Sequence, residues 1–513
     1  MPQQDHLTAR LVVDDDFEVA PVNNRLFGSF VEHLGRCVYT GIYEPDHPTA
    51  DEHGFRKDVI DLVKELGATT IRYPGGNFVS GYRWEDGIGP KQERPRRLDL
   101  AWHSTETNEF GLHEFIDWCK KAGAAPMYAV NLGTRGADAA RNIVEYANHP
   151  GGTYWSDLRK KNGAQEPLNI KLWCLGNEMD GQWQMGHKNA EDYGKFALET
   201  AKLMKWIDRD IKLVVAGSSD YNGNWIDWNR TVLEYLKNHA DYIALHNYVE
   251  NRSNDYYKFM ATTRFAEKAI RITEGLIAEA MTKAERKDPI YIAFDEYNVW
   301  YRAKGEEGNE EVYNLEDALV VSTFLNIFVR NAHVVKMANM AQLVNVIAPI
   351  FSTKEGSWYQ TIFYPLQLFA THCHGTSLDT FVDCDTEELI ERTPTICRVN
   401  VLFGDERGRR VTWDAVEARP ELFGASSIPM NVEVTSVEAT KGTALVWLCE
   451  RLGVDVADTV AFGDSGNDVA MLDVAGDAVA MENASPEVKA HARHVAPRCE
   501  LAGVARYLEP LLV

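Results

Sequence analysis

The sequence predicts a (β/α)8 barrel followed by a smaller α/β segment. Three observations predict it: eight short β-rich runs, amphipathic helical stretches between them, and polar side chains gathered where the runs end. Strands of a parallel barrel are buried on both faces and should be apolar along most of their length. Regular alternation of strand and helix closes into such a barrel. At 513 residues the chain has room for a barrel and one further unit.

The first strand is expected at 26–32 (LFGSFVE), the second at 69–74 (TTIRYP), the third at 126–131 (PMYAVN) and the fourth at 170–178. The remaining four are expected at 211–219, 242–248, 290–298 and 334–342. Between the first two, residues 55–66 place Phe55, Val59, Leu62, Val63 and Leu66 at helical spacing. Residues 110–121, 190–207, 256–285 and 315–330 read as helices in the same role.

In a barrel of this kind the active site is built where the strands end at their C-terminal side. Those ends carry Glu32, Asn77, Asn131, Asn177 with Glu178, His246 with Tyr248, Glu296 and Gln342. One glutamate at a strand end is an ordinary loop cap. Seven of eight strand ends carrying such groups describe a polar, carboxylate-lined pocket.

Composition narrows what that pocket serves. Against 53 Lys and Arg stand 76 Asp and Glu, a net charge of -23, and so acidic a surface repels phosphate backbones. Nucleic acid is therefore not an expected partner. No apolar run approaches the roughly 18 residues that cross a bilayer, so no membrane association is expected. The start, MPQQDHLTAR, has no signal-peptide pattern, and a cytoplasmic location is expected. The eight cysteines form no Cys-x-x-Cys, which fits reduced thiols.

Asn, Gln, Tyr and Glu without a phosphate loop suit a neutral, hydroxyl-rich ligand such as a sugar. Glycosidic cleavage needs one protonated carboxyl at the leaving group and one carboxylate across the anomeric carbon. Glu178 and Glu296 end strands four and seven, on opposed sides of the ring. A separation of roughly 5–5.5 Å would suit a retaining double displacement.

Five segments carry a more specific likeness: Phe27–His33 (FGSFVEH), Arg72–Phe78 (RYPGGNF), Trp173–Gly181 (WCLGNEMDG), Asp295–Trp300 (DEYNVW) and Met340–Asn345 (MAQLVN). In this order they resemble the family 51 glycoside hydrolases, the α-L-arabinofuranosidases, over about residues 7–384. The resemblance implies Glu178 as general acid/base and Glu296 as nucleophile. It implies Glu32, Asn77, Asn177, Tyr248 and Gln342 as groups that hold the furanose hydroxyls, with Trp300 offering an apolar face to the leaving sugar. It further implies an exo-acting retaining enzyme without a cofactor, arabinose-containing oligosaccharides as substrates, and a homo-oligomer.

Beyond residue 384 the sequence reads differently, and the family's C-terminal β-sandwich is expected to be absent. Lys441-Gly442-Thr443 opens an amphipathic helix, and Gly463-Asp464-Ser465-Gly466-Asn467-Asp468 follows a β-rich run. This resembles the C-terminal half of a Cof-type phosphatase of the haloacid dehalogenase superfamily. It implies an incomplete Rossmann-like domain over 385–513, Asp464 and Asp468 as a vestigial Mg²⁺ site, and Lys441 beside them. The Asp-x-Asp-Gly-Thr nucleophile loop is missing; Asp14, Asp15 and Asp16 do not reproduce it. The chain thus reads as a chimeric fusion: a strand segment at 1–20, a catalytic barrel at 21–384, and a phosphatase fragment. The N-terminal strand is expected to have lost its sheet, leaving an aggregation-prone edge. The alternatives are a Mg²⁺-dependent phosphatase of small metabolites, a sugar-binding protein without turnover, and a poorly folded chimera.

Overall fold

A computed structural model describes residues 9–303, 309–384, 399–402, 406–419, 422–425, 431–437, 440–498 and 501–511. The chain divides into two compact units, Met1–Ile390 and Glu391–Val513.

The first unit opens with strand β1 (Ala9–Pro21), then barrel strands β2 (Gly28–Phe30), β3 (Thr70–Tyr73), β4 (Ala125–Val130) and β5 (Leu172–Leu175). It continues with β6 (Lys212–Val215), β7 (Tyr242–Val249), β8 (Tyr291–Val299) and β9 (Val335–Ala341). Strands β2 to β9 close a barrel in chain order, with neighbours parallel and β9 paired back onto β2. Each lies within or overlaps its expected run.

Helices at Lys57–Leu66, Leu112–Ala122, Ala190–Ile207 and Leu315–Arg330 lie where the apolar spacing puts them. On the first of these, Val59, Ile60, Val63 and Leu66 are buried, and Gly67 ends it at φ 77°, a left-handed turn that favours glycine. The expected helix at 256–285 is instead two, Tyr256–Ala261 and Arg264–Lys283. The break falls at Thr262–Thr263, where both hydroxyls bond back to carbonyls of the preceding turn. Inside the barrel a small cluster of Met127, Ala129, Leu172, Cys174, Val214, Ala244, Ala293 and Met337 fills the floor beneath the strand ends.

The N-terminal strand corrects an expectation. β1 pairs antiparallel with β10 (Thr376–Cys384), with Leu11 opposite Val382 and Val12 opposite Phe381. It has a partner because the chain returns past the barrel's last helix, Phe363–His372, to lie beside it. The ribbon stays apolar and exposed, at 61% for Leu11 and 65% for Phe381.

In the second unit, Val399–Leu402, Leu422–Ala425 and Asn431–Ser436 make a three-stranded antiparallel sheet with the last strand central. Val460–Gly463, Asp477–Met481 and His494–Ala496 make a three-stranded parallel sheet. Its core is small and alanine-rich: Ala461, Leu472, Ala475, Ala478, Ala480, Ala484 and Val488.

Candidate active site

Glu32 lies just past β2, and Asn177 and Glu178 just past β5. His246 and Tyr248 lie within β7, Glu296 within β8, and Gln342 directly after β9. Parallel pairing sets Glu296 beside His246 after an irregularity that follows Ala293. All of these, with Asn77 and Trp300, line one cavity of ≈ 540 Å³ at the C-terminal end of the barrel. Asn131 does not: its Oδ1 accepts the N–H groups of Gly133 and Thr134, capping its own loop.

The two glutamates face each other closely. One oxygen of Glu178, one of Glu296 and a ring nitrogen of His246 lie within 4.8 Å of one another. His246 Nδ1 is 2.9 Å from Glu178 Oε1 and 3.6 Å from Glu296 Oε2, while its Nε2 is 3.3 Å from Asp295 Oδ1. Arg72, fully buried inside the barrel, donates to Glu296 Oε1 and Asn177 Oδ1, each at 2.5 Å. The Tyr248 hydroxyl donates to Glu296 Oε2 at 2.9 Å.

Glu32 forms a second cluster. It accepts the Phe78 N–H and the Trp102 indole N–H, both at 3.0 Å, and the Gln342 amide donates to its other oxygen at 3.1 Å. Gly76 lets these clusters approach: a Cβ there would lie 3.2 Å from Glu32 Oε2 and 3.5 Å from both Asn177 and Glu296. Trp300, 37% exposed, meets the Tyr248 ring edge-on at 5.7 Å.

The charges follow from burial and neighbours. Burial works against a charged His246, yet Glu296, Asp295 and Glu178 hold its pKa well above the ordinary value, so it is an imidazolium. Burial alone would push the Glu178 carboxyl up, but His246 and then the Trp183 N–H offset this and hold it below the usual range. Burial pushes Glu296 above the usual range, and His246 and Arg72 oppose this without cancelling it. Arg72 and Tyr248 both donate to it, and donors favour the carboxylate. Burial pushes Glu32 up to about 7, against the Phe78 and Trp102 donors.

Several participants carry no role in the sequence reading. Trp102 and Trp183 lie in loops without periodicity, and His246 was visible only as a strand end. Arg72 did leave a signal, as a cation inside the apolar run TTIRYP. Glu178 also has φ 42°, an uncommon left-handed conformation for a side chain of its size.

The acids of the second unit are not arranged as a cation site. Asp468 accepts the N–H groups of Asp464 and Ser465 and pairs with Lys441 at 2.5 Å, while Asp464 accepts from Asn483. Both Asp468 oxygens are taken, Oδ1 by Lys441 and Oδ2 by the two N–H groups, so the expected Mg²⁺ site is not supported.

A barrel whose cavity brings two carboxylates together among amides and aromatics is the arrangement of a glycoside hydrolase. The family model for the α-L-arabinofuranosidase 1 domain matches residues 62–267, and that for the α-L-arabinofuranosidase C-terminal domain matches residues 295–484. An intracellular exo-α-(1→5)-L-arabinofuranosidase of Bacillus subtilis is 51% identical over 387 residues, 73% of this chain and 77% of the relative. An exo-α-(1→6)-L-arabinofuranosidase of Bifidobacterium longum is 49% identical over 453 residues, 82% of this chain and 87% of the relative. The solved structure of a family 51 α-L-arabinofuranosidase from Bifidobacterium longum superposes with a TM-score of 0.70 at 44% identity, covering 74% of this chain and 79% of that one. The chain belongs to the family 51 α-L-arabinofuranosidases.

These matches correct the reading of the C-terminal region. The family's C-terminal-domain match runs to residue 484, a hundred residues past the expected limit of 384, so the expected absence of that domain is overturned. The phosphatase fragment and the chimeric fusion fall with it. The Gly-Asp turn and upstream lysine that suggested them form a local cap, which needs no bound phosphate to explain it.

Proposed function

We propose that Glu178 is the general acid/base and Glu296 the nucleophile of an exo-acting, retaining α-L-arabinofuranosidase. The observation that carries this assignment is the approach of their carboxylates within 4.8 Å at the ends of β5 and β8, close to the spacing of a double displacement. Glu296 attacks C1 as Glu178 protonates the departing oxygen, giving an arabinosyl ester and a free alcohol. Glu178, now a carboxylate, takes a proton from water, which attacks C1 and releases Glu296. Arg72 and Tyr248 hold the Glu296 oxygens, so the nucleophile is fixed in direction before substrate arrives.

Glu32, Gln342, Asn77 and Asn177 are the groups that bind the furanose hydroxyls, and Trp300 borders the leaving sugar. The substrates in this reading are arabinose-containing oligosaccharides with terminal α-L-arabinofuranosyl residues. Linkages of the (1→5) or (1→6) kind are suggested by the names of the relatives. The word intracellular in the name of the Bacillus subtilis relative supports a cytoplasmic site of action, and no helix among the described residues is long and apolar enough to cross a membrane. The catalytic barrel corresponds to 21–384, and assembly into a homo-oligomer is part of this proposal, testable by light scattering.

The test of the assignment uses p-nitrophenyl α-L-arabinofuranoside. Glu296→Ala abolishes turnover, and Glu178→Ala lowers it by about 10²–10⁴-fold. Proton NMR of the first product reads the α-anomer. Initial release of the β-anomer rejects the double displacement.

A further inference from the structure

Trp183 stands on a loop that leaves the end of β5, and its side chain is 51% exposed. Its indole N–H nevertheless points inward and donates to Glu178 Oε2 at 2.5 Å. The other oxygen, Oε1, is engaged by His246 Nδ1 at 2.9 Å. A general acid must present an O–H to the leaving oxygen, and with Oε1 turned to His246 the oxygen available is Oε2. An indole is a donor only, so Trp183 in this position favours the carboxylate and occupies the oxygen that has to carry the proton.

The resting position of the ring is built into the loop. A Cβ on Gly181 would fall 2.5 Å from the Trp183 ring and 2.9 Å from Nε1, so only glycine leaves the indole room there. Gly181 has an ordinary φ, and alanine at 181 would move the ring rather than strain the backbone. Gly186 closes the same loop at φ 72°, packed against the backbone of Gly133.

We propose that Trp183 is a positioning residue that keeps Glu178 ionised while the cavity is empty and releases it when the leaving-group sugar enters against the exposed indole. The inference rests on Glu178 being the acid/base. On release Glu178 takes up one proton from solvent, gives it to the glycosidic oxygen as the C1–O bond breaks, and regains one from the attacking water. The occupant is the aglycone sugar, because Trp183, Trp300 and Glu178 border the same cavity.

Glu178 is also faced by His246 from β7, Arg72 from β3, Glu296 from β8, Asp180 on its own loop, and the phenols Tyr221 and Tyr248. Substitutions at 181 and 183 leave all of these in place. Loss of the indole donor raises the Glu178 pKa, so the limb of kcat/KM that titrates Glu178 moves to higher pH while the limb that titrates Glu296 stays.

The experiment is the pH profile of kcat/KM on an arabinobioside for Trp183→Phe and Gly181→Ala. In both variants the Glu178 limb should move up by about one pH unit, the tenfold that a hydrogen bond to a charged group is worth. Gly181→Ala keeps the indole and so separates release of the N–H from loss of the aromatic face. A pH profile that stays in place in a folded Gly181→Ala enzyme overturns the proposal. Azide rescue of Glu178→Ala, read as arabinosyl azide, tests the underlying assignment by itself. Rescue with unmoved limbs rejects only the Trp183 role, whereas no rescue rejects both.

Discussion

Glu32 is the residue whose chemistry departs furthest from its surroundings. A carboxyl 2% exposed, with its pKa pushed up to about 7, binds its proton more firmly in the folded chain than in the unfolded one. Its contribution to stability is therefore fully present below about pH 4.5 and lost as pH rises to about 7, an order of about 3 kcal/mol. In Glu32→Gln this part of the pH dependence should vanish. The Gln342 amide can turn to offer its unpartnered Oε1 to the new NH₂. Denaturant melts of both proteins between pH 4.5 and 8 measure the difference; parallel curves would refute a proton on Glu32. The pair of glutamates was legible in the sequence because Asn-Glu and Asp-Glu stand at the ends of apolar runs. Trp102 and Trp183 were not, because their roles arise from loops folding back over the barrel mouth, which leaves no periodic trace.

At the scale of elements, the strands were readable because burial on both faces writes itself as an apolar run. The start of the helix expected at 315–330 is fixed by Asn314, whose side chain accepts the Glu316 and Asp317 N–H groups ahead of Leu315–Arg330. The pairing of β1 with β10 was hidden because its partners lie more than 350 residues apart. The turn after β3 brings backbone close to three side chains of the site. In Gly76→Ala a methyl would enter among Glu32, Asn177 and Glu296, displacing the furanose ring. We expect kcat/KM to fall about 10²-fold with little change in melting temperature. Full activity would mean that the substrate does not reach this turn. The β1–β10 ribbon carries a different prediction: Phe381→Lys, on its exposed face, should reduce light scattering on heating without altering kinetics.

Across the whole molecule, every group assigned to catalysis belongs to the first unit. Asp468→Ala in the second unit removes the acceptor of two backbone N–H groups and of Lys441, costing about 1–3 kcal/mol of local stability. Arabinofuranosidase constants should stay within about twofold of wild type, because no group assigned to catalysis belongs to the second unit. A fall of tenfold or more would tie the C-terminal residues to turnover. The change of composition after residue 384 was legible, but the short glycine–aspartate turn was read as imported chemistry. A six-residue motif specifies a turn more firmly than it specifies a reaction, since the same hydrogen bonds serve as a cap.

Trp102, Trp183 and Trp300, three of the chain's 13 tryptophans, ring the catalytic cavity. Two of these indoles stand within reach of a glutamate: Trp102 with Glu32 and Trp183 with Glu178. The enzyme thus carries its own fluorophores at the place where substrate arrives. Arabinose titrated into the Glu296→Ala protein should shift and quench the ultraviolet emission without any added dye. Comparing that signal in single Trp→Phe variants would assign the optical change to the furanose side or the leaving-group side of the cavity.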